Sequence, residues 1–480
     1  MLKYTVKKYC SEGSKINQLL VASLMVFPVF SYGMAVGWMS PMGPILMSEE
    51  GPSSSPLHPD VISWMASVPY LVGAAAVFLY GYIVDNFGRK KALMFTSFNL
   101  AICWGLKLFS AEPWALITAR AVVGMGVAGS YVVTPLYIKE ISEDSIRGTL
   151  GSLVILSQNL GNLVMFLIGE YLSYQVTLWL CFAVPVVHLL VFTAMPDTPS
   201  YLIKSGKVEE ARSVLAWLRC RDPTEAAVDS ELQLLFCELE QKQSSRFVDA
   251  LKTIISDRST SRAFRITIII TLARELCGCL AVLHFASHIF DKAGNGWVLT
   301  ANQQAAVLGA VQIVGSFTAS TLVERTGRKP LLAITCVVSG ASMAVLGGWF
   351  RWCGAGGPAW LPVAALCLCI YCDAAGLQPV PFVVMTEMFT FQLRGTVTTL
   401  VISFACILVS FELRVFHPLA SHVGMYFVFW VFAGVCIVST IYIVLWVPET
   451  KMRSIDDIYA ELSGKSKKQS KDCEADVTRL

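Results

Sequence analysis

The run Gly81-Tyr82-Ile83-Val84-Asp85-Asn86-Phe87-Gly88-Arg89-Lys90-Lys91 returns in shortened form as Leu322-Val323-Glu324-Arg325-Thr326-Gly327-Arg328-Lys329. Each copy sets an acid and a Gly-Arg-Lys cluster at the end of a long apolar block. Two further echoes follow in the same order. Glu140-Ile141 with Arg147-Gly148 returns as Glu387-Met388 with Arg394-Gly395, and Pro196-Asp197-Thr198 returns as Pro448-Glu449-Thr450. The offset is roughly 240–250 residues each time, half of the chain, as expected for two duplicated six-helix units.

Between these motifs the chain is apolar. Of 480 residues, 55% are hydrophobic and only 15% charged, and the mean hydropathy is +0.60. The excess lies in blocks rather than in stripes, the pattern of helices surrounded by lipid. A soluble enzyme, a disordered chain and a secreted disulfide scaffold are excluded. At about 20 apolar residues per span, twelve segments emerge, near 17–39, 61–84, 91–110, 114–138, 149–173, 176–195, 264–290, 302–323, 331–350, 361–385, 396–416 and 423–447. The expected fold class is an all-α polytopic membrane protein with twelve transmembrane helices in two bundles. Its parts are an N-terminus over 1–16, a first bundle over 17–196, a helical linker over 197–263, a second bundle over 264–447 and a tail over 448–480. The first apolar run is too long for a signal-peptide core and reads as a retained helix.

Basic residues give the orientation. Lys3, Lys7, Lys8 and Lys15 precede the first span. Arg89, Lys90 and Lys91 follow the second, Lys139 and Arg147 the fourth, and Arg325, Arg328 and Lys329 the eighth. Arg394 follows the tenth, Lys451, Arg453 and the Lys465–Lys471 cluster follow the twelfth, and the stretch 41–60 has no Lys or Arg. Basic loops face the cytoplasm, so both termini are expected there. In the linker, apolar positions recur at helical spacing over Val208–Leu218, which predicts short amphipathic helices. The tail from about Gly464 reads as polar and disordered.

The net charge of +3, from 37 Lys and Arg against 34 Asp and Glu, offers nucleic acid no bulk attraction. No Gly-Lys-Ser/Thr phosphate loop and no His-Glu-x-x-His zinc motif is present, so no enzyme is expected. The implied partners are a small-molecule solute and the lipid bilayer, with no obligate protein partner and no cofactor. Of the 15 cysteines, most fall in apolar blocks, where cysteine acts as a small hydrophobe. Cys369-x-x-Cys372 lacks a second ligand pair at suitable spacing, so no metal site is expected there.

The repeated acids ask for partners. Asp85, Glu140, Glu324 and Glu387 lie beside Arg89, Arg147, Arg328 and Arg394, in sequence or across neighbouring loops. Charges at the membrane boundary are costly unless paired, and ion pairs between helix ends that hold one conformation and break in another make a gate. Arg120-x-x-x-Gly124-x-Gly126 puts small residues on one helix face for close packing. Pro379-x-Pro381 breaks the tenth span.

Gly81–Lys91, Arg120–Gly126, Pro135-Leu136-Tyr137-Ile138-Lys139-Glu140-Ile141, Arg147-Gly148, Pro196-Asp197-Thr198-Pro199-Ser200-Tyr201-Leu202 and Val447-Pro448-Glu449-Thr450-Lys451 together resemble the sugar porter family of the major facilitator superfamily. Gly37-Trp38-Met39-Ser40-Pro41 and Ser63-Trp64-Met65 are similar to its insect facilitated trehalose transporter branch. The resemblance spans about residues 20–460. It implies two rocking bundles, a central site near mid-membrane and, at family level, the plasma membrane.

The family's sugar-binding positions are altered. Its Gln-Gln-x-Ser-Gly-Ile-Asn motif on the seventh span is here Arg274-Glu275-Leu276-Cys277-Gly278-Cys279-Leu280. The fifth-span glutamine is Ile155, with Gln158 one turn later. The eighth-span amide is kept as Gln312, the tenth-span tryptophan is Phe382, and an Asn-Trp pair on the eleventh is Ala405-Cys406. Carboxamides suit sugars because they both donate and accept, and each unpaired hydroxyl costs roughly 1–3 kcal/mol in a buried site. The solute-binding candidates are therefore Gln158, Arg274, Glu275, Gly278, Gln312, Asp373 and Phe382. Arg274-Glu275 is either a substrate contact or a structural pair with Asp373 or a neighbouring helix. Glu412 and Arg414 are expected to snorkel near a helix end, and His284 and His288, one turn apart, to be packed histidines rather than a proton relay. Proton-coupled members of the family have an aspartate near Met34. This chain has none there, which favours facilitated movement of a hexose, trehalose, polyol or glycoside over proton symport. The alternatives are a same-fold carrier of a charged or amphipathic solute, or a receptor that does not translocate.

Overall fold

The computed structural model describes residues 13–243, 247–294, 299–353 and 357–463. Lys3, Lys7, Lys8 and the basic tail from Gly464 lie outside them. Among the described residues, eleven helices are long and apolar enough to cross a membrane. They are α1 (Ile16–Met47), α2 (Pro59–Phe87), α3 (Arg89–Phe109), α4 (Pro113–Ile141), α5 (Ser145–Tyr171), α6 (Tyr174–Phe192), α7 (Arg258–Ala293), α9 (Arg328–Trp352), α10 (Trp360–Met388), α11 (Gln392–His422) and α12 (Met425–Trp446). The helix Ala301–Thr326, between α7 and α9 in chain order, is α8. Large apolar side chains such as Phe78, Trp179, Leu190 and Val438 face outward, as a lipid-facing surface requires.

Several boundaries move. The first span runs on to Met47, because Pro41 and Pro44 are absorbed in a helical segment that begins at Met39. The seventh begins at Arg258, ahead of the expected 264, where the Asp257 side chain accepts from the Thr260 N–H at 2.7 Å and caps the helix. The linker forms helices at Pro199–Lys204, Val208–Arg219, Ala226–Gln243 and Phe247–Ser256. Val208–Arg219 buries Ala211, Val214, Leu215 and Leu218, the face that its apolar spacing predicts. Arg219 clamps it, donating to Glu231 at 2.5 Å and to the Ile141 carbonyl at 2.8 Å.

Several spans carry irregular backbone. In α7 the helix stops at Glu275 and restarts at Cys279, with Gly278 at φ +87° between the segments. A Cβ at Gly278 would overlap the Phe432 ring, so only glycine fits both the conformation and the space. In α10 a π-turn covers Asp373–Leu377, just ahead of Pro379 and Pro381. The tenth-span break therefore falls a turn earlier than the prolines suggest. A second π-turn lies in α4 at Gly129–Val133. Such turns concentrate at functional sites. Arg120 ties α4 to its neighbours by donating to the carbonyls of Met65, at 2.7 Å, and Ala35.

Candidate functional site

The duplicated motifs build two matching clusters at the basic-loop end. Arg89 meets Glu140 at 2.8 Å and donates to the Val84 carbonyl at 3.3 Å. Arg328 meets Glu387 at 2.6 Å and donates to the Val323 carbonyl at 3.3 Å. Gly88 and Gly327, at φ +93° and +90°, let the chain turn directly into the next helix. At those turns Asp197 accepts the Lys90 N–H at 3.3 Å, while Glu449 accepts the N–H groups of Arg328 and Lys329 at 3.0 and 3.1 Å. The echoed Pro-acid-Thr motifs thus cap the helix N-termini that follow Gly88 and Gly327.

The two caps differ in charge balance. Burial pushes the Asp197 carboxyl above its ordinary range, against N–H donors from Thr198 and Lys90. Glu449 is also raised by burial. N–H groups from Lys451, Arg328, Lys329 and Thr450 outweigh that and hold it below the usual range.

The remaining proposed gate residues are placed otherwise. Asp85 lies 3.7 Å from Lys204 of the linker rather than beside Arg89. Glu324 is exposed. Arg147 donates to the Ser142 carbonyl at 3.2 Å, and Arg394 to the carbonyls of Thr386 and Phe389 at 2.5 and 3.3 Å. These two arginines hold backbone carbonyls five to eight residues behind them, a role sequence proximity to acids did not reveal.

Bonds between the halves lie at mid-membrane and at the opposite end. Ser40 Oγ is 2.9 Å from Ser287 Oγ, Arg414 is 3.2 Å from Asp60, and Thr300 donates to Glu170 at 2.7 Å. Deeper down, Asn159 donates to Ser316 at 2.7 Å and Ser403 to the Ala74 carbonyl at 2.9 Å.

Between the halves lies a partly open cavity. The first half contributes Tyr32, Tyr70, Tyr131 and Gln158, and the second contributes Arg274, Glu275, Phe382, Ile402, Cys406 and Val409. Tyr131 donates to the Gln158 side-chain carbonyl at 2.8 Å and stacks on Phe382 with ring centroids 6.2 Å apart and planes 5° from parallel. Arg274 and Glu275 reach the wall because they end the first segment of α7. Arg274 is bonded to Glu275 at 2.6 Å and to Asp373 at 3.4 Å. The structural pair with Asp373 is therefore present, and the same residue lines the cavity.

Gly278, Gln312 and Asp373 do not line the cavity. Gly278 is spent on the α7 break, Gln312 is buried within α8, and Asp373 sits behind Arg274, fully buried. Glu412 does not snorkel: it is 8% exposed, with no partner at either carboxylate oxygen among the described residues. The three tyrosines were not singled out from sequence, because aromatics in an apolar span read as core. Their signal is the hydroxyl, which needs a partner in the membrane.

Residues 53–462 match the family model described as sugar (and other) transporter. The chain belongs to that family. It is 26% identical over 412 residues to a facilitated trehalose transporter of Culex quinquefasciatus, covering 85% of this chain and 78% of that one. A facilitated trehalose transporter of Polypedilum vanderplanki is 26% identical over 462 residues, 95% of this chain and 90% of that one. Of the Aedes aegypti protein bearing the same name, the chain spans 50%. The fold matches the inward open xylose transporter XylE of E. coli with a TM-score of 0.76 at 15% identity, over 92% of this chain and 99% of that one. It also matches the proton:xylose symporter XylE bound to 6-bromo-6-deoxy-D-glucose, at 0.72 and 18%, over 94% and 100%. The protein is an integral membrane transporter of the major facilitator fold and not an enzyme.

Proposed function

We propose that this transporter moves a neutral polyhydroxylated solute, a hexose, trehalose or a related polyol or glycoside, by facilitated alternating access without proton coupling. The observation that carries this reading is the cavity wall. Tyr32, Tyr70, Tyr131 and Phe382 offer aromatic faces for the apolar side of a sugar ring. Gln158 and the tyrosine hydroxyls offer the donors and acceptors that hydroxyl groups need. Arg274 is neutralised by Glu275 and Asp373, so it makes no free anion receptor. Gln158, Arg274, Glu275 and Phe382 contact the solute, and Gly278, Gln312 and Asp373 support them from outside the wall. The trehalose-transporter relatives support the substrate class, and the lack of an acid near Met34 supports uniport.

In this reading Arg89–Glu140 and Arg328–Glu387 lock the basic-loop end of each half, while Arg147 and Arg394 hold the adjoining turns. Asp85 acts through Lys204, and Glu324 engages the gate only in another conformation. The basic-loop end faces the cytoplasm with both termini, and the plasma membrane is the site of action. The two bundles and linker divide the chain near 196 and 264.

A second reading rests on Glu412. An unpaired buried acid beside the Arg274 cluster favours a cationic or amphipathic solute. Uptake into proteoliposomes separates the two. Labelled glucose, trehalose, a polyol, and anionic and cationic solutes are tested with and without a pH gradient, against empty liposomes. Saturable, gradient-independent sugar uptake is expected. Uptake confined to a charged solute overturns the sugar reading, and dependence on the pH gradient overturns uniport.

A further inference from the structure

The break in α7 brings together side chains that their positions in the sequence keep apart. Cys277 and Cys279, the two thiols around Gly278, lie with their sulfurs 3.3 Å apart. Cys369 of α10 reaches in from the other side, 3.5 Å from the Cys279 sulfur. Asp373, at the start of the α10 π-turn, completes the group. One ligand atom each from Cys277, Cys279 and Asp373 lies within 4.8 Å of the others. All four residues are buried.

The aspartate carries the argument beyond a group of thiols. Its Oδ1 accepts from Arg274 at 3.4 Å, while its Oδ2 has no hydrogen-bond partner among the described residues, and the side chain is 0% exposed. A buried carboxylate oxygen without a partner is costly. A carboxylate oxygen of Asp373 lies within 4.8 Å of the Cys277 and Cys279 sulfurs, which are free and not joined as disulfides. Pairing a hard oxygen with three soft sulfurs is the donor set of a four-coordinate zinc site. At a Zn–S distance of about 2.3 Å, tetrahedral sulfurs stand about 3.8 Å apart, so the Cys277–Cys279 and Cys279–Cys369 spacings need to open by only a few tenths of an ångström, while Cys369 has to swing in toward the other ligands on binding.

We infer that Cys277, Cys279, Cys369 and Asp373 form a binding site for a thiophilic divalent metal ion, with Zn²⁺ as the fitting cation. Each coordinated thiol gives up its proton on binding, and Arg274 offsets part of the resulting negative charge. Ser339 Oγ, 3.0 Å from the Cys369 sulfur, orients the ligand from behind. The ion joins the α7 break to α10 and fixes the segment that ends in Arg274 and Glu275. Occupancy therefore stiffens the cavity wall from outside the solute path. This inference does not depend on which solute is carried.

The test uses the full chain, purified under reducing, anaerobic conditions and stripped by a chelator. Zn²⁺ is titrated against a competing chromophoric chelator, and Co²⁺ is added separately to read a sulfur-to-cobalt charge-transfer band. One ion per chain and a cobalt–thiolate band are expected. Cys279→Ser should weaken binding by at least about tenfold, while Cys103→Ser, in α3, should leave it unchanged. If Cys279→Ser does not fold, the wild type suffices: Zn²⁺ should slow alkylation of Cys277, Cys279 and Cys369, mapped by mass spectrometry, and not that of Cys103. Absence of the cobalt band, alkylation rates indifferent to Zn²⁺, or a Cys279–Cys369 disulfide in the anaerobically isolated protein would each overturn the site.

Discussion

Replacing Arg274 by glutamine restores the residue type that the family motif has at this position, yet the structure predicts a loss. Arg274 is 7% exposed and its guanidinium serves two carboxylates, Glu275 at 2.6 Å and Asp373 at 3.4 Å. Arg274→Gln leaves both acids buried without a cation, and breaking a buried pair from one side costs about 3–5 kcal/mol. That is roughly two to three and a half orders of magnitude in the folding equilibrium. Asp373→Asn gives up only the longer contact and removes a buried charge, so its own effect should stay within about 1 kcal/mol. The double variant should then recover at least about 1 kcal/mol relative to additivity. Equilibrium unfolding in mixed detergent micelles, followed by tryptophan fluorescence, measures all four corners of the cycle. An Arg274→Gln protein as stable as the wild type, or a strictly additive double variant, would falsify the ion-pair account.

Gly278→Ala should lower the yield of folded protein sharply, since alanine meets both a positive φ and the Phe432 ring; size-exclusion profiles read this out. Arg89→Lys and Arg328→Lys lose the forked contact to Glu140 and Glu387 and should slow exchange several-fold without changing the order of solute preference in counterflow assays. Gln158→Leu removes an acceptor for Tyr131 and a donor to solute, and should raise the apparent KM for sugar about tenfold. Glu449, depressed in the folded state, contributes stability above its unfolded pKa and loses it as pH falls through its folded value. Asp197 is raised, so its contribution has the opposite sign and is lost as pH rises through its folded value. At neutral pH, Glu449→Gln should lower the apparent Tm and Asp197→Asn should not, with the Glu449 effect shrinking as pH falls below the ordinary glutamate value of about 4.3.

Much of the membrane architecture was legible because it depends on local composition. A span is an apolar block of sufficient length, and a duplicated half shows itself when Gly-Arg-Lys recurs behind such a block. The family's gating motifs were legible for the same reason. Their partners were less so. Arg89 could face Asp85, four residues away, or Glu140, and only packing of α2 and α3 against α4 selects Glu140. Asp85 instead turns outward to Lys204, which lies on a linker helix whose docking no local signal announces.

The cavity was half visible. Arg274, Glu275, Gln158 and Phe382 stand out as departures from a motif or as polar residues in apolar runs. Tyr32, Tyr70 and Tyr131 do not, since an aromatic buried in a core and an aromatic lining a cavity give the same pattern in one dimension. Glu412 near a helix end invites a snorkelling reading, and its burial follows from the neighbouring helices, not from its own.

The sequence by itself determined that the chain crosses a membrane, that it does so in two related halves, and that its seventh span departs from the sugar-binding pattern. These follow from hydropathy, repetition and residue identity, each a property of neighbours along the chain. Tertiary structure alone decided which charges pair, which aromatics face the cavity, and that Cys277 and Cys279 meet Cys369 and Asp373 about a fifth of the chain away. Such contacts depend on how rigid helices pack against one another, and helix packing is set by the whole surface of each helix rather than by any short run of residues.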